Sequence, residues 1–289
     1  MPAAVERPVE RLDGLPAMGA SFARALVPSR KGEARVPSHA VRVEGVRQDL
    51  DRLAEYSRVC GYTLRNAVPA TWIHVLTFPL HVSLLGDRRS SVRLVGAVHA
   101  SNSMTMHRAV ATAEALDLEV HAEGLRPHAR GAMLDLVGTA SVDGETVWEG
   151  VSTYLVAGMR VPGEPAPVER EPFDPQPPLA LWRLAPDLGR RYRRVSQDPN
   201  PIHTNRVAAK AFGFARPIIH GMWTHAHALA ALEGRHGESY SAHVAFVKPV
   251  LLPSTVGFRA TAHAEGLDAA VTTRDGSKPH LLMSVRRAS

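Results

Sequence analysis

The chain has 289 residues, 45% hydrophobic and 21% charged, a balance that describes a folded protein with room for two ordinary cores and excludes a disordered chain. Its net charge of +6 comes from scattered arginines with no basic run interleaved with aromatics, so no nucleic-acid partner is expected. No uncharged apolar stretch is long enough to span a bilayer. The opening residues, from Met1 to Pro8, hold no signal-peptide run. A single cysteine, Cys60, excludes an internal disulfide, fits a reducing compartment and reads as a small buried hydrophobe rather than a nucleophile. A cytoplasmic location is expected.

In chain order, the N-terminal part predicts a helix, a loop and a second apolar helix, then strands at Val92–Ala100, Asp117–Glu123, Met133–Val142 and Val147–Val156. Residues 160–178 then carry Pro162, Pro165, Pro167, Pro172, Pro175, Pro177 and Pro178 with few apolar side chains, the signature of an extended linker. That linker divides the chain into halves at 1–159 and 179–289. In the second half a helix is expected from Pro201 to Gly213, and a buried one from Met222 to Glu233 between Gly221 and Gly234. Strands follow at Tyr240–Val247, Thr255–His263, Leu267–Thr273 and Leu281–Arg286. One helix wrapped by an antiparallel sheet, twice over, gives an α+β fold.

The two halves echo one another. Tyr56-Ser57-Arg58-Val59-Cys60-Gly61 parallels Tyr192-Arg193-Arg194-Val195-Ser196-Gln197, and Ile73-His74 with His81 parallels Ile219-His220 with His227. The offset is 136 residues at the tyrosines and 146 at the histidines, which predicts about ten extra residues in the C-terminal half. Those residues hold Asp198-Pro199-Asn200-Pro201-Ile202-His203, where the N-terminal half has Tyr62-Thr63-Leu64-Arg65-Asn66. The first half is therefore read as a degenerate copy.

Pro199 and Pro201 stiffen the segment between Asp198 and His203, because each fixes its own φ and pushes its predecessor toward extended backbone. A rigid carboxylate and imidazole five residues apart suit proton transfer. Taken alone, the same pair also reads as a helix cap and a packed ring. His225 and His227 have no acidic or cysteine partner at ligand spacing, so no metal site is expected. Walker or Rossmann glycines and a Gly-x-Ser-x-Gly elbow are absent, and no cofactor is expected.

Tyr192, Val195, Ser196, Asp198, Asn200, Pro201, Ile202 and His203 resemble the signature of the MaoC-like hydratase/dehydratase family, the (R)-specific enoyl-CoA hydratases. Gly213-Phe214-Ala215-Arg216-Pro217-Ile218-Ile219-His220-Gly221-Met222-Trp223 and Phe246-Val247-Lys248-Pro249-Val250 are similar to the family as well. The resemblance implies a double hotdog, with two helix-wrapped sheets joined edge to edge. It implies reversible addition of water to the 2,3-double bond of an acyl thioester, carried by coenzyme A or an acyl carrier protein, with a homodimer expected. Asp198 and His203 become the acid–base pair. Ser196, Asn200, Gly221 and Met222 become substrate-binding, with the Gly221 amide facing the thioester oxygen. Met222 and Trp223 are candidates to line an acyl tunnel, and His220 reads as a hydrogen-bonded core residue. Gln197 departs from the family glycine. Where the glycine has φ > 0, glutamine carries strain of about 1 kcal/mol or forces another backbone path, and its side chain could intrude on the water site. This leaves a weakened enzyme or one tuned to a different acyl group, and together with the degenerate first half it motivates a non-catalytic acyl-thioester-binding or scaffold subunit. A hotdog thioesterase is the other enzymatic reading.

Overall fold

The computed structural model describes residues 7–18, 33–92, 97–167 and 172–287. The first six residues, residues 93–96 of the strand expected from Val92, and residues 168–171 of the expected linker lie outside the described residues. In chain order the elements are β1 Val9–Arg11, β2 Ala40–Val46, α1 Leu50–Cys60, α2 Ala70–Gly86, β3 Ala97–Met106, β4 Leu116–His128, β5 Gly131–Val142 and β6 Glu145–Ala157. Then come β7 Ala180–Leu184, α3 Leu188–Ser196, a 3-10 turn Pro201–His203, α4 Arg206–Ala211, α5 Gly221–Ala230, β8 Tyr240–Phe246, β9 Ser254–His263, β10 Gly266–Thr273 and β11 Pro279–Arg287.

All strands belong to one eleven-stranded sheet, ordered β1-β2-β4-β5-β6-β3-β8-β11-β10-β9-β7. From the middle outward, β3-β6-β5-β4-β2 and β8-β11-β10-β9-β7 repeat one connectivity, with β1 added in parallel outside β2. The halves meet where β3 pairs antiparallel with β8, from Ser101 opposite Ala245 to Met106 opposite Tyr240. Strict alternation builds these strands: β5 buries every second residue along its length, which puts Ala132, Leu134, Leu136 and Ala140 on the core face.

That face wraps α2 and α5. In α2, Trp72, Ile73, Leu80, Leu84 and Leu85 are fully buried, each worth about 1.5–3 kcal/mol in apolar burial. A helix hydrophobic all round has no surface to offer water and sits at a centre. α1 and α3 pack together across the seam: the rings of Tyr56 and Tyr192 lie 6.1 Å apart, and Arg52 Nε donates to the Val195 carbonyl at 2.8 Å. The echoing tyrosines therefore touch.

Several expectations are corrected. The strand after α2 runs to Met106 rather than ending at Ala100. β1, β2 and β7 were not anticipated, and α5 ends at Ala230. Nine residues separate α1 from α2 while twenty-four separate α3 from α5, so the C-terminal insertion is larger than ten. Matching the helix starts pairs Trp72 with Trp223 and His74 with His225, an offset of 151 rather than 146. Among the described residues, no helix is long and apolar enough to cross a membrane.

Candidate active site

α3 ends at Ser196, and Gln197 turns the chain out of the helix in the left-handed region at φ 60°, its N–H donating to the Arg193 carbonyl at 2.8 Å. This is the conformation for which a glycine would be favoured. Gln197 is exposed and does not line the cavity described below. The loop then closes on itself. Ser196 Oγ accepts the Asp198 N–H at 3.3 Å, Asp198 Oδ1 accepts the Asn200 N–H at 2.9 Å, and Asn200 Oδ1 accepts the Ile202 N–H at 3.3 Å. Each short polar side chain thus holds the backbone two residues on.

The helix expected from Pro201 to Gly213 is divided. Pro201–His203 form a single 3-10 turn, Asn205 caps α4 by accepting from Val207 and Ala208, and Gly213 follows at φ 87°. His203 Nδ1 donates to the Ile218 carbonyl at 2.8 Å, a bond that fixes the proton on Nδ1 and leaves Nε2 as the acceptor. The turn is pressed against α3 at Gly189, where any Cβ would run into the His203 carbonyl. Burial pushes the His203 pKa below its usual 6.5, and the Asp198 carboxylate and the Ile218 carbonyl oppose that shift without cancelling it.

His220 is where the sequence reading fails most plainly. It is buried, but neither ring nitrogen has a hydrogen-bond partner. Its ring lies between Tyr192, at 4.9 Å, and His203, stacked at 3.6 Å and 25°. Its Nε2 is 3.8 Å from Asp198 Oδ2. Burial, then His203 and Arg193, hold its pKa well below the usual value. The ring is therefore neutral, and the approach to Asp198 is a long polar contact rather than an ion pair. Asp198, His203 and His220 can bring one ligand atom each within 4.8 Å. Stacked imidazoles aim their lone pairs side by side instead of at a common point, which suits a proton-handling cluster better than a metal chelate. The other acidic–histidine group, Glu10, His39 and Asp87, is already bridged by Arg89.

A cavity of about 530 Å³ opens beside this loop, lined by Ser196, Asp198, Asn200, His203, Gly221 and Met222. All six candidate residues thus share one space. Gly221 opens α5, and a Cβ there would press on the Phe246 ring at 3.0 Å. The first residues of α5, Gly221 and Met222, line the cavity, and His220 supplies no side-chain cap. Trp223 does not line the cavity; its Nε1 donates to the Val59 carbonyl at 2.9 Å and it packs in the seam. Cys60 is buried, which pushes its thiol pKa up and removes it as a nucleophile. The N-terminal half contributes His74, Phe78, His99, Arg130 and Tyr154 to the same wall, none of which was singled out as a site residue.

The model of the MaoC-like domain family matches residues 166–277. Over 253 residues the chain is 38% identical to 3-hydroxyacyl-thioester dehydratase X of Mycobacterium tuberculosis, covering 87% of this chain and 90% of that protein. The chain belongs to the MaoC-like dehydratase family. Among solved structures it is similar to HtdX of M. tuberculosis, with a TM-score of 0.77 at 37% identity over 86% of this chain and all of that one. A second M. tuberculosis protein, described as a double hotdog, aligns with a TM-score of 0.53 at 15% identity over 89% of this chain and 96% of its own. The mirrored eleven-stranded sheet of this MaoC-like protein is that double-hotdog fold.

Proposed function

We propose that this protein is a (3R)-hydroxyacyl-thioester dehydratase, working reversibly as an enoyl-thioester hydratase in fatty-acid metabolism. Its substrate is an acyl thioester of coenzyme A or of an acyl carrier protein. The observation that supports the reading is one cavity lined by Asp198, His203 and the first residues of α5. Asp198 Oδ1 is engaged by the Asn200 N–H and His203 Nδ1 by the Ile218 carbonyl, which leaves the other carboxylate oxygen and Nε2 for a substrate.

In dehydration, neutral His203 takes a proton from Cα through Nε2. Negative charge grows on the thioester oxygen, where the Gly221 amide and the α5 N-terminus stabilise it. The free oxygen of Asp198 holds the 3-hydroxyl. The C–O bond breaks, and the proton on His203 passes by way of Asp198 to the departing oxygen, which leaves as water. Hydration runs the same path backward: Asp198 takes the proton of water as oxygen adds to Cβ, and His203 delivers it to Cα. Ser196 and Asn200 keep Asp198 in place, and Met222 lies beside the acyl group. The enzyme returns to its starting protonation state in either direction.

The N-terminal half, 1–159, is proposed to lack a site of its own. It lends wall residues to the armed half, 179–289, across the proline-rich connection at 160–178. Exposure of Gln197 argues against its side chain narrowing the water site, one of the motives for a scaffold reading. A cytoplasmic enzyme is the setting that a buried free thiol and the absence of a membrane-crossing helix among the described residues suit. A homodimer is proposed as its assembly.

Mixing the protein with a conjugated enoyl thioester tests the reading. Loss of enoyl absorbance without release of free thiol is expected. Release of thiol would mean hydrolysis instead, and saturable binding with no absorbance change would mean a carrier or scaffold.

A further inference from the structure

The cavity's deep wall is unusual for a space meant to hold a hydrocarbon chain. At the open end stand the exposed residues Val98, Phe212, Val247 and Lys248. At the enclosed end stand buried His74, Val75 and Thr224, with His99 and Tyr154 between. His81 and His225 lie directly behind: His74 is 5.6 Å from His81 between ring centroids, 6.1 Å from His99, and close enough to His225 to depress its pKa. The reacting groups connect to this wall. Tyr154 feels the charge of Asp198 and stacks on His99 at 4.6 Å, and His99 lies 4.9 Å from Phe246, the ring packed on Gly221.

The backbone is built to turn these rings inward. In β3 the pairing with β6 slips by one residue between His99 and Ser101, leaving His99 opposite Tyr154. A bulge of this kind bends a strand and re-aims a side chain. Burial holds His74 at a pKa of about 4 and His225 at about 3, and keeps His81 and His99 well below the usual value, so the wall is a set of neutral rings. His99 Nε2, His81 Nδ1 and both nitrogens of His225 have no hydrogen-bond partner among the described residues. Leaving a buried polar atom unpaired is costly; of these three rings only His99 lines the cavity, and a plain alkyl tail would leave its Nε2 unpaired.

We infer that the deep end of the cavity accepts an acyl chain carrying a hydrogen-bonding oxygen, a hydroxyl or carbonyl placed beyond the reacting carbons, which pairs with the histidine wall formed by His74 and His99. This rests on the dehydratase reading for the position of the thioester, and it adds what that reading leaves open, the chemistry of the tail. A neutral imidazole offers one donor and one acceptor, so either oxygen type finds a partner without burying a charge. A site with such groups discriminates against a ligand lacking the matching oxygen more strongly than an apolar pocket discriminates by size.

The test compares enoyl-CoA thioesters matched in length, with and without a terminal hydroxyl, across a series of chain lengths. At the length that reaches the wall, the hydroxylated substrate should have a kcat/KM about tenfold higher. His99→Phe keeps the stacking on Tyr154 and Phe246, and His74→Phe keeps a ring at the cavity end; each should erase the preference. Calorimetric binding of the matching saturated acyl-CoAs to the wild-type protein provides a readout that needs neither turnover nor a folded variant. Equal kcat/KM and equal binding at every length would overturn the inference while leaving the dehydratase reading intact. A preference that survives both substitutions would also overturn it. Selective binding without hydration of any enoyl thioester would uphold it and sink the dehydratase reading.

Discussion

The two halves of this protein share a strand order and a buried helix, yet differ where α-helix meets α-helix. Between α1 and α2 the N-terminal half spends nine residues, whereas the C-terminal half spends twenty-four between α3 and α5. The longer path accommodates the self-bonded Asp198–Asn200 loop, the 3-10 turn that carries His203, and α4. The short path runs from Gly61 to Pro69 and brings Tyr62 into the core instead, where its hydroxyl meets Thr71 at 2.9 Å. On the reading proposed above, one insertion separates a chemical half from a structural one. The structural half still matters to chemistry, because its strands supply His99 and Tyr154 to the cavity wall.

The sharpest way to break this contrast is to separate the halves. Residues 179–289 alone expose the β8 edge that β3 covers, and an unpaired edge invites association. The fragment should be insoluble or dimeric by light scattering; a monomeric, fully active fragment would contradict the shared-sheet picture. Next, Asp198→Asn and His203→Ala should each lower kcat/KM by at least about 10² with little change in melting temperature. Activity near the wild-type level in either variant would point to a second site in the N-terminal half. His220→Ala removes the plate on which His203 stacks and should reduce kcat/KM by about tenfold through misplacement of the imidazole. His220→Phe, which keeps a ring there, should recover most of that loss.

The pH dependence sharpens the comparison further. With neutral His203 as the proposed base in dehydration and its pKa held below 6.5, kcat/KM should stay level near neutrality and fall on acidification through that lowered value. The Asp198 carboxylate favours the protonated ring; in Asp198→Asn the acid limb of the residual activity should move to lower pH. An unmoved limb would assign it to another group. The smallest effect is expected for Gln197→Gly. Relief of the left-handed strain should stabilise the fold by about 1 kcal/mol, read as a higher melting temperature. The rate should change by less than about tenfold, or 1.4 kcal/mol of barrier, because the side chain faces away from the cavity.

The motif around Asp198 was legible because its prolines and short polar residues act on neighbours two positions away, and such local chemistry is written in order along the chain. The inner strands were legible from alternation, as in β5. The edge strands were not: Ala40–Val46 carries Arg42, Glu44 and a positive-φ Gly45, and Ala180–Leu184 has only five residues, so neither offers a clear period. The repeat was found but aligned on the wrong histidines. The shared Trp-x-His of Trp72-Ile73-His74 and Trp223-Thr224-His225 would have given the register of the helices. His220 was misjudged because its neighbours Tyr192 and His203 arrive from other elements. The same holds for the histidine wall, which gathers α2, β3 and α5 in space.

The pairing of β3 with β8 also bears on how the chain is made. Met106 finds its partner at Tyr240 and Ser101 at Ala245, so the middle of the sheet closes only when the later half has left the ribosome. Until then the N-terminal half presents β3 as an open rim, and contacts of such long sequence separation form slowly. The newborn protein therefore passes through a stage in which its future centre is its most adhesive border, and the pace of translation across 107–239 sets how long that border stays uncovered.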